Sequence, residues 1–162
     1  MIGKADMKKF EKPSYLYALK QLVQCYQSYE KLANQHFTQL GLTSSQFDII
    51  ATLGNTQGMS CKELGEKTLI TKGTMNGVLD RLEKKEILTR CPVQGDRRLY
   101  LIKLTDKGQN LFEEIFPLHL EHMNQYFARV GQETIEQLGL VCSQVNSSLA
   151  AFIEPDKDCS KK

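Results

Sequence analysis

At 162 residues, 41% of them apolar and 25% charged, the chain is long and apolar enough to bury a real core, which excludes disorder outside its ends. Its net charge of +2 decides little by itself, so the distribution of charge is the informative quantity. It holds no run of about 20 apolar residues, so no transmembrane helix is expected.

Residues 1–13 are polar and lysine-rich as far as Pro13 and read as a flexible start without the apolar segment of a signal peptide. Over 14–41 a long helix fits. Tyr15, Leu19, Leu22, Tyr26, Tyr29, Ala33 and Leu40 form a near-heptad stripe that Leu16, Val23 and Phe37 widen. Such a stripe has more apolar surface than one small lobe covers. A second copy of the chain is the expected cover, together with or instead of this chain's own C-terminal helices. Gly41 ends the helix as a C′ residue. Thr43 and Gln46 then have capping-box spacing, with Leu42 and Phe47 as the staple, and Phe47, Ile50, Ala51 and Leu53 should bury.

After a turn at Gly54–Gly58, Ser60 and Glu63 repeat the capping-box spacing, with Met59 and Leu64 as staple, and open a short helix. Leu64, Leu69 and Ile70 are expected to turn inward. A second helix begins at Thr71, whose hydroxyl is expected to cap it by accepting from an early backbone N–H. Met75, Val78, Leu79 and Leu82 fall at i, i+3, i+4 and i+7, one buried stripe. Lys72, Gly73, Thr74, Asn76 and Gly77 remain small or polar and are not needed for a core. A helix with an uncovered, hydrogen-bonding N-terminal half suits the major groove, and its free N–H groups favour a phosphate.

Residues 88–93 and 99–104 then read as the strands of a β-hairpin around Gln94-Gly95-Asp96-Arg97-Arg98, where Gly95 permits a tight turn and Asp96 braces Arg98. Arginine suits phosphates and a narrow minor groove. Singly, Thr71 and Lys72 are an ordinary cap and a solvated lysine, and Asp96-Arg97-Arg98 is a soluble hairpin tip. In this order and spacing they point to a winged helix-turn-helix docking on duplex DNA. From Ser60 to Leu104 there are 10 Lys/Arg against 6 Asp/Glu, whereas the remainder has 11 against 13. Positive charge is thus concentrated where backbone binding needs it.

Thr105 and Asp106 cap a further helix, with Asp106 at its positive end. Leu111, Phe112, Ile115 and Phe116 run inward, Pro117 is expected to kink or restart the helix, and Gly131 breaks it. A last helix carries Ile135, Leu138, Val141, Val145, Leu149 and Phe152 on its apolar side, and residues 154–162 are a polar tail.

Leu79-Asp-Arg-Leu-Glu-Lys-Lys-Glu-Ile-Leu, then Asp96-Arg97-Arg98, then Leu104-Thr-Asp-Lys-Gly resemble the MarR family of bacterial transcriptional regulators, in three blocks at matching spacing. The likeness extends over about residues 14–153. It implies an obligate homodimer built by helices from both chain ends. It also implies a sensor of a small, often aromatic, ligand or an oxidant. Repression follows from the resemblance alone. By it, Thr71, Lys72, Thr74 and Asn76 lie on the recognition helix and Asp96 and Arg98 on the wing. The family's ligand crevice lies between dimer lobe and winged lobe, where Tyr15, Tyr17, Tyr29 and Phe47 are candidates for its lining. Core packing explains those four equally well. Two positions depart from the family: Asn76-Gly77 replaces a frequent Thr-Arg, removing one basic contact, and Glu86 replaces the usual glycine at a helix end.

The five cysteines are scattered and form no C-x-x-C pair, which fits reduced thiols and a cytoplasmic protein. Cys25 does not match the peroxide-sensing position of some MarR relatives and is expected to be buried and inert. Cys61, at the first position of a helix, is a candidate redox residue because the dipole favours thiolate. His119 and His122 at i, i+3 admit a shared metal but fit surface or interface histidines better, so no metal is assigned.

The resulting fold class is mainly α with a small β-wing, a winged helix-turn-helix with a helical dimerisation lobe. Its parts are the dimerisation helix at 14–41, the DNA-binding domain at 42–104 and the C-terminal dimerisation helices at 105–153. The functional expectation is a homodimeric, sequence-specific DNA-binding repressor released by a small ligand. Recognition helices about 34 Å apart would sit on a pseudo-palindromic duplex operator. Ser60, Thr71, Lys72, Gly73, Thr74, Asn76, Asp96, Arg97 and Arg98 are the candidate DNA residues. The alternatives are a redox- or metal-responsive regulator on the same scaffold and a winged-helix protein-interaction module without DNA binding. Neither a cofactor nor a catalytic residue is assigned, because no nucleophile–base pair, phosphate loop or carboxylate constellation stands out.

Overall fold

Helix α1 (Ser14–Gln39) ends where Gly41 allows the chain to reverse. Gly41 takes φ +71°, its N–H bonds to the Thr38 carbonyl, and the Leu42 N–H reaches back to the Phe37 carbonyl. This is the paired Schellman closure, which satisfies two carbonyls left open by the helix end. The structure, a computed structural model, describes residues 13–68, 70–93 and 96–153, with only the backbone of Lys72, Val93 and residues 96–99. The expectations for residues 1–12, Leu69, the Gln94-Gly95 turn, the Asp96–Arg98 brace and the tail at 154–162 lie outside what it describes.

Helix α2 (Ser44–Leu53) starts from the expected capping box: Gln46 N–H donates to the Thr43 hydroxyl, and Thr43 N–H donates to the Gln46 side chain. Strand β1 (Met59–Ser60) leads into α3 (Cys61–Lys67), whose capping box pairs Ser60 with Glu63. Helix α4 (Lys72–Lys84) follows, then β2 (Leu88–Val93), β3 (Asp96–Leu104), α5 (Asp106–Phe127) and α6 (Gln132–Ala150). The strands form one antiparallel sheet in the order β1-β3-β2, with Met59 opposite Ile102 and Leu88 opposite Leu104. The third strand is an addition to the expected hairpin. It is two residues long, and its second residue is the cap of α3.

The chain divides into two compact units between Ile115 and Phe116. In the first, the core is built by Ile49, Ile50 and Leu53 of α2, Leu64 of α3, Met75, Val78, Leu79 and Leu82 of α4, and Leu88 and Ile102 of the sheet, all essentially out of water. Ile49 joins the expected α2 residues there, and Ala51 is half-buried. Truncating such a residue, Leu82→Ala for example, removes roughly 2–5 kcal/mol by lost transfer energy and a residual cavity.

The second unit contains the C-terminal part of α5 and α6. Of the kink or restart expected at Pro117, the restart does not occur: helix α5 continues through the proline to Phe127. Phe112, Ile115, His119 and Met123 are all buried and recur at helical spacing across the proline, so one continuous face holds the helix together. That burial offsets the lost hydrogen bond and ring clash of an interior proline, about 3 kcal/mol. Gly131, at φ +88°, separates α5 from α6.

The junction after α4 repeats the geometry at Gly41 with a different residue. Glu86 N–H bonds to the Glu83 carbonyl and Ile87 N–H to the Leu82 carbonyl, and Glu86 itself takes φ +61°. The next segment closes on this turn. Thr105 donates its hydroxyl to the Glu86 carbonyl at 2.6 Å and accepts from Gly108 N–H at 3.1 Å, capping α5. A Cβ on Gly108 would lie 1.9 Å from the Ile87 carbonyl oxygen, so only glycine permits this approach. The left-handed conformation costs a side-chain-bearing residue roughly 1–2 kcal/mol, of which glycine's extra chain entropy offsets about half. The exposed Lys107–Glu86 pair at 3.6 Å recovers little of it. Glu86→Gly should therefore raise the melting temperature by about 1–4 °C, roughly 0.5–1 kcal/mol at this chain length, in a thermal unfolding experiment.

Candidate nucleic-acid interface

Helix α4 has two unlike sides. Met75, Val78, Leu79 and Leu82 face the core, whereas Thr71, Gly73, Thr74 and Asn76 are exposed at and after its start. Thr71 takes the extended N-cap conformation, and its carbonyl accepts from the N–H groups of Thr74 and Met75. Its side chain does not cap the helix as expected. The Thr71 and Thr74 hydroxyls hydrogen-bond each other at 3.0 Å. The first N–H groups of α4 therefore lack a side-chain cap, the arrangement that leaves a helix start open to an external acceptor. Lys72 is the first helical residue.

Ser60, half-buried, ends β1 and caps α3. Its N–H donates to Glu63 Oε2 at 2.7 Å and its hydroxyl accepts from Glu63 N–H at 3.2 Å. The hydrogen bond from the Ser60 backbone, more than any other contact, holds the Glu63 carboxyl below the usual carboxylate range. Asp96, Arg97 and Arg98 belong to the backbone of β3 rather than to the loop beyond it. The ladder is irregular there. Pro92 faces Tyr100, yet the next residue, Val93, faces Asp96, so residues 97–99 have no counterpart on β2. The pairing of β2 with β3 is thus irregular on the side that leads to the hairpin tip.

Arg90 joins the hairpin to α4, and sequence reasoning passed over it. Its Nη2 donates to Asp80 Oδ1 at 2.6 Å and its Nη1 donates to Glu83 Oε2. Asp80 and Glu83 sit one turn apart on α4, so a single guanidinium ties strand to helix and neutralises two acids beside the exposed face. Partial burial would lower the Arg90 pKa, but hydrogen bonds and charge from Asp80 and Glu83 outweigh it and raise the value. The i, i+3 acids followed by an arginine at strand distance were the available signal.

An open cleft of about 530 Å³ lies between α1, α2 and the start of α4. Tyr26, Tyr29, Glu30, Phe47, Asp48 and Thr74 are among its lining residues. Of the four ligand candidates, Tyr29 and Phe47 line it. Tyr15 and Tyr17 lie exposed in the first turn of α1. Cys25 is exposed in the single chain, not buried as expected, and Cys61 is exposed at the start of α3. His119 is buried, whereas His122 hydrogen-bonds with Gln125 and packs edge-on against Tyr126 at 5.3 Å. Among the described residues, no three His, Cys, Asp or Glu side chains gather as a metal site, and no helix is long and apolar enough to cross a membrane.

Comparison with known proteins places this geometry. A family model described as MarR family matches residues 40–99. The chain is 28% identical over 131 residues to the HTH-type transcriptional regulator MhqR of Bacillus subtilis, covering 81% of this chain and 90% of that protein. Among solved structures, AbsC, a MarR family transcriptional regulator from Streptomyces coelicolor, superposes with a TM-score of 0.77 at 18% identity, over 88% of this chain and 99% of that one. Another MarR family regulator from the same organism, solved in complex with DNA, matches with a TM-score of 0.75 at 18% identity, over 96% and 97% of the two chains. At those identities the two structures establish the fold.

Replacing Arg90 with alanine should loosen the hairpin from α4 by about 1 kcal/mol, the scale of a partly exposed charged hydrogen bond. Amide exchange in β2 should then run about five-fold faster than in wild type, while the amides of α2 keep their protection.

Proposed function

We propose that this chain, which belongs to the MarR family, is a homodimeric, sequence-specific DNA-binding transcriptional regulator, a repressor whose grip on its operator falls when a small aromatic ligand binds. The observation that carries the reading is α4. One side is locked into the core, and the opposite N-terminal turn is polar, exposed and uncapped by any side chain. Thr71, Lys72, Gly73, Thr74 and Asn76 would reach base edges and phosphates in the major groove, with Ser60 at the neighbouring phosphate backbone. Asp96, Arg97 and Arg98 would form the wing that meets the minor groove or its phosphates. The DNA complex of a structural relative with the same fold supports this placement.

The dimer follows from surface that one chain leaves open. Tyr15, Leu16, Leu19, Leu22 and Val23 on α1 are each about half exposed or more, and α6 buries no residue at all. Two apolar helix faces in contact with water are a strong drive for association, and a two-fold pair is the common solution. Such a pair would carry two α4 helices to successive major grooves about 34 Å apart on a pseudo-palindromic site. The open cleft, lined by Tyr29, Phe47, Thr71 and Thr74, is where a ligand would act on the start of α4.

Titrating duplex genomic DNA across a salt series tests the reading, with wild type beside Arg98→Ala. Wild type should bind with a steep salt dependence, and the variant should bind about ten-fold more weakly with a slope smaller by about one. A folded dimer that ignores duplex DNA at low salt would replace the regulator with a protein-interaction module.

A further inference from the structure

Arg81 is exposed on α4, and among the described residues its side chain enters no ion pair. The two acids of the same helix, Asp80 and Glu83, are both engaged by Arg90. Arg81 therefore keeps its guanidinium donors for a group outside the chain. Its direction follows from the helix. A helical side chain leans toward the N-terminus and covers the turn before its own Cα. Here the guanidinium lies over Gly77: a Cβ at that position would meet Arg81 Nη1 at 3.9 Å and no other described atom within 4 Å. A basic residue in the last turn also suits the negative end of the helix dipole, but this one turns the other way, toward the polar start. Gly77 has ordinary helical backbone, so neither a left-handed turn nor a tight neighbour calls for glycine. In a helix interior it costs roughly 0.5–1 kcal/mol against alanine. Its small size leaves bare backbone on which the Arg81 guanidinium rests.

We infer that Arg81 grips a phosphate of the duplex at the edge of the major groove, and that it takes the place of the arginine missing at position 77. The inference rests on the regulator reading and adds a residue to its contact surface. Thr74, Gly77 and Arg81 fall at i, i+3 and i+7, along one edge of the outward face, whereas Asn76 and Asp80 follow the other edge. A side chain on the edge of a helix lying in a groove meets the strand that forms the wall, not the base edges on the floor. A guanidinium is planar and always charged, and it matches a phosphate with two parallel N–H bonds. The contact adds affinity without sequence preference. A second arginine at 77 would stand where the Arg81 guanidinium already lies, so one turn of the helix carries one such cation.

The test measures binding of the full-length protein to a duplex selected from genomic DNA, by fluorescence anisotropy across a salt series. Arg81→Ala should bind about ten-fold more weakly near 0.1 M salt, with a salt slope smaller by about one. Arg81→Lys, which keeps the charge, should keep the slope. Gly77→Arg combined with Arg81→Ala should recover most of the lost slope, because it returns a guanidinium to the same turn. Lys20→Ala removes the same charge from α1 and should leave slope and affinity unchanged. Wild-type slope and affinity in Arg81→Ala overturn the inference. So does an equal loss in Lys20→Ala, which would make the effect one of net charge, or an equal loss of slope in Arg81→Lys, which would make it one of packing. Each of these outcomes is read against a wild type that binds. A wild type that ignores the duplex fails the regulator reading itself, and the Arg81 contact with it.

Discussion

Met75, Val78, Leu79 and Leu82 leave water almost completely when α4 docks, and their seat against α2 and β2 decides where everything else in the winged lobe points. Because the stripe repeats at helical spacing, burying it fixes the rotation of α4 about its axis as well as its position. The polar half is thereby forced outward. Rotated by one residue, the helix would place Asn76 in the core with unmet hydrogen bonds, an arrangement that costs several kcal/mol per buried polar group. The exposed face thus follows from the core, and Arg90 then ties the neighbouring strand to the same helix through Asp80 and Glu83.

The start of α4 belongs to two environments. Its first turn faces solvent, yet Thr71 and Thr74 also line the cleft formed with α1 and α2. Side chains shared by a cleft and a helix start need no long relay through the core to link the two. Thr71 shows the same economy. Its hydroxyl pairs with Thr74 rather than with the backbone, so the first N–H groups of the helix keep no side-chain cap.

Most of the architecture was legible in the sequence because its signals are local. The Thr43–Gln46 and Ser60–Glu63 capping boxes, the glycine turn at Gly41 and the α4 stripe each depend on residues within two turns of one another. The left-handed helix end at Glu86 was legible through its departure from glycine, and φ +61° shows that the conformation is kept despite the side chain. What escaped was non-local or was overridden by neighbours. Strand β1 is two residues long and exists only because β3 lies beside it. Pro117 stays inside a helix because the apolar face resumes in phase beyond it. Cys25 lies within α1, where a buried, inert thiol was expected, but it is exposed in the single chain. At the candidate site, the exposed residues of α4 could be read from periodicity. The Arg90 clamp and the cleft could not, because Glu30, Asp48, Lys67 and Thr71 come together only in three dimensions.

A hydroxyl-radical footprint of the protein on a duplex selected from genomic DNA tests the central claim most directly, that the exposed N-terminal turn of α4 is presented twice, by two copies, to one duplex. The account predicts protection in two patches related by two-fold symmetry, with centres about 10 base pairs apart, and loss of both patches together in a variant that cannot dimerise. A single patch, or protection that persists undiminished in a monomeric variant, would contradict it.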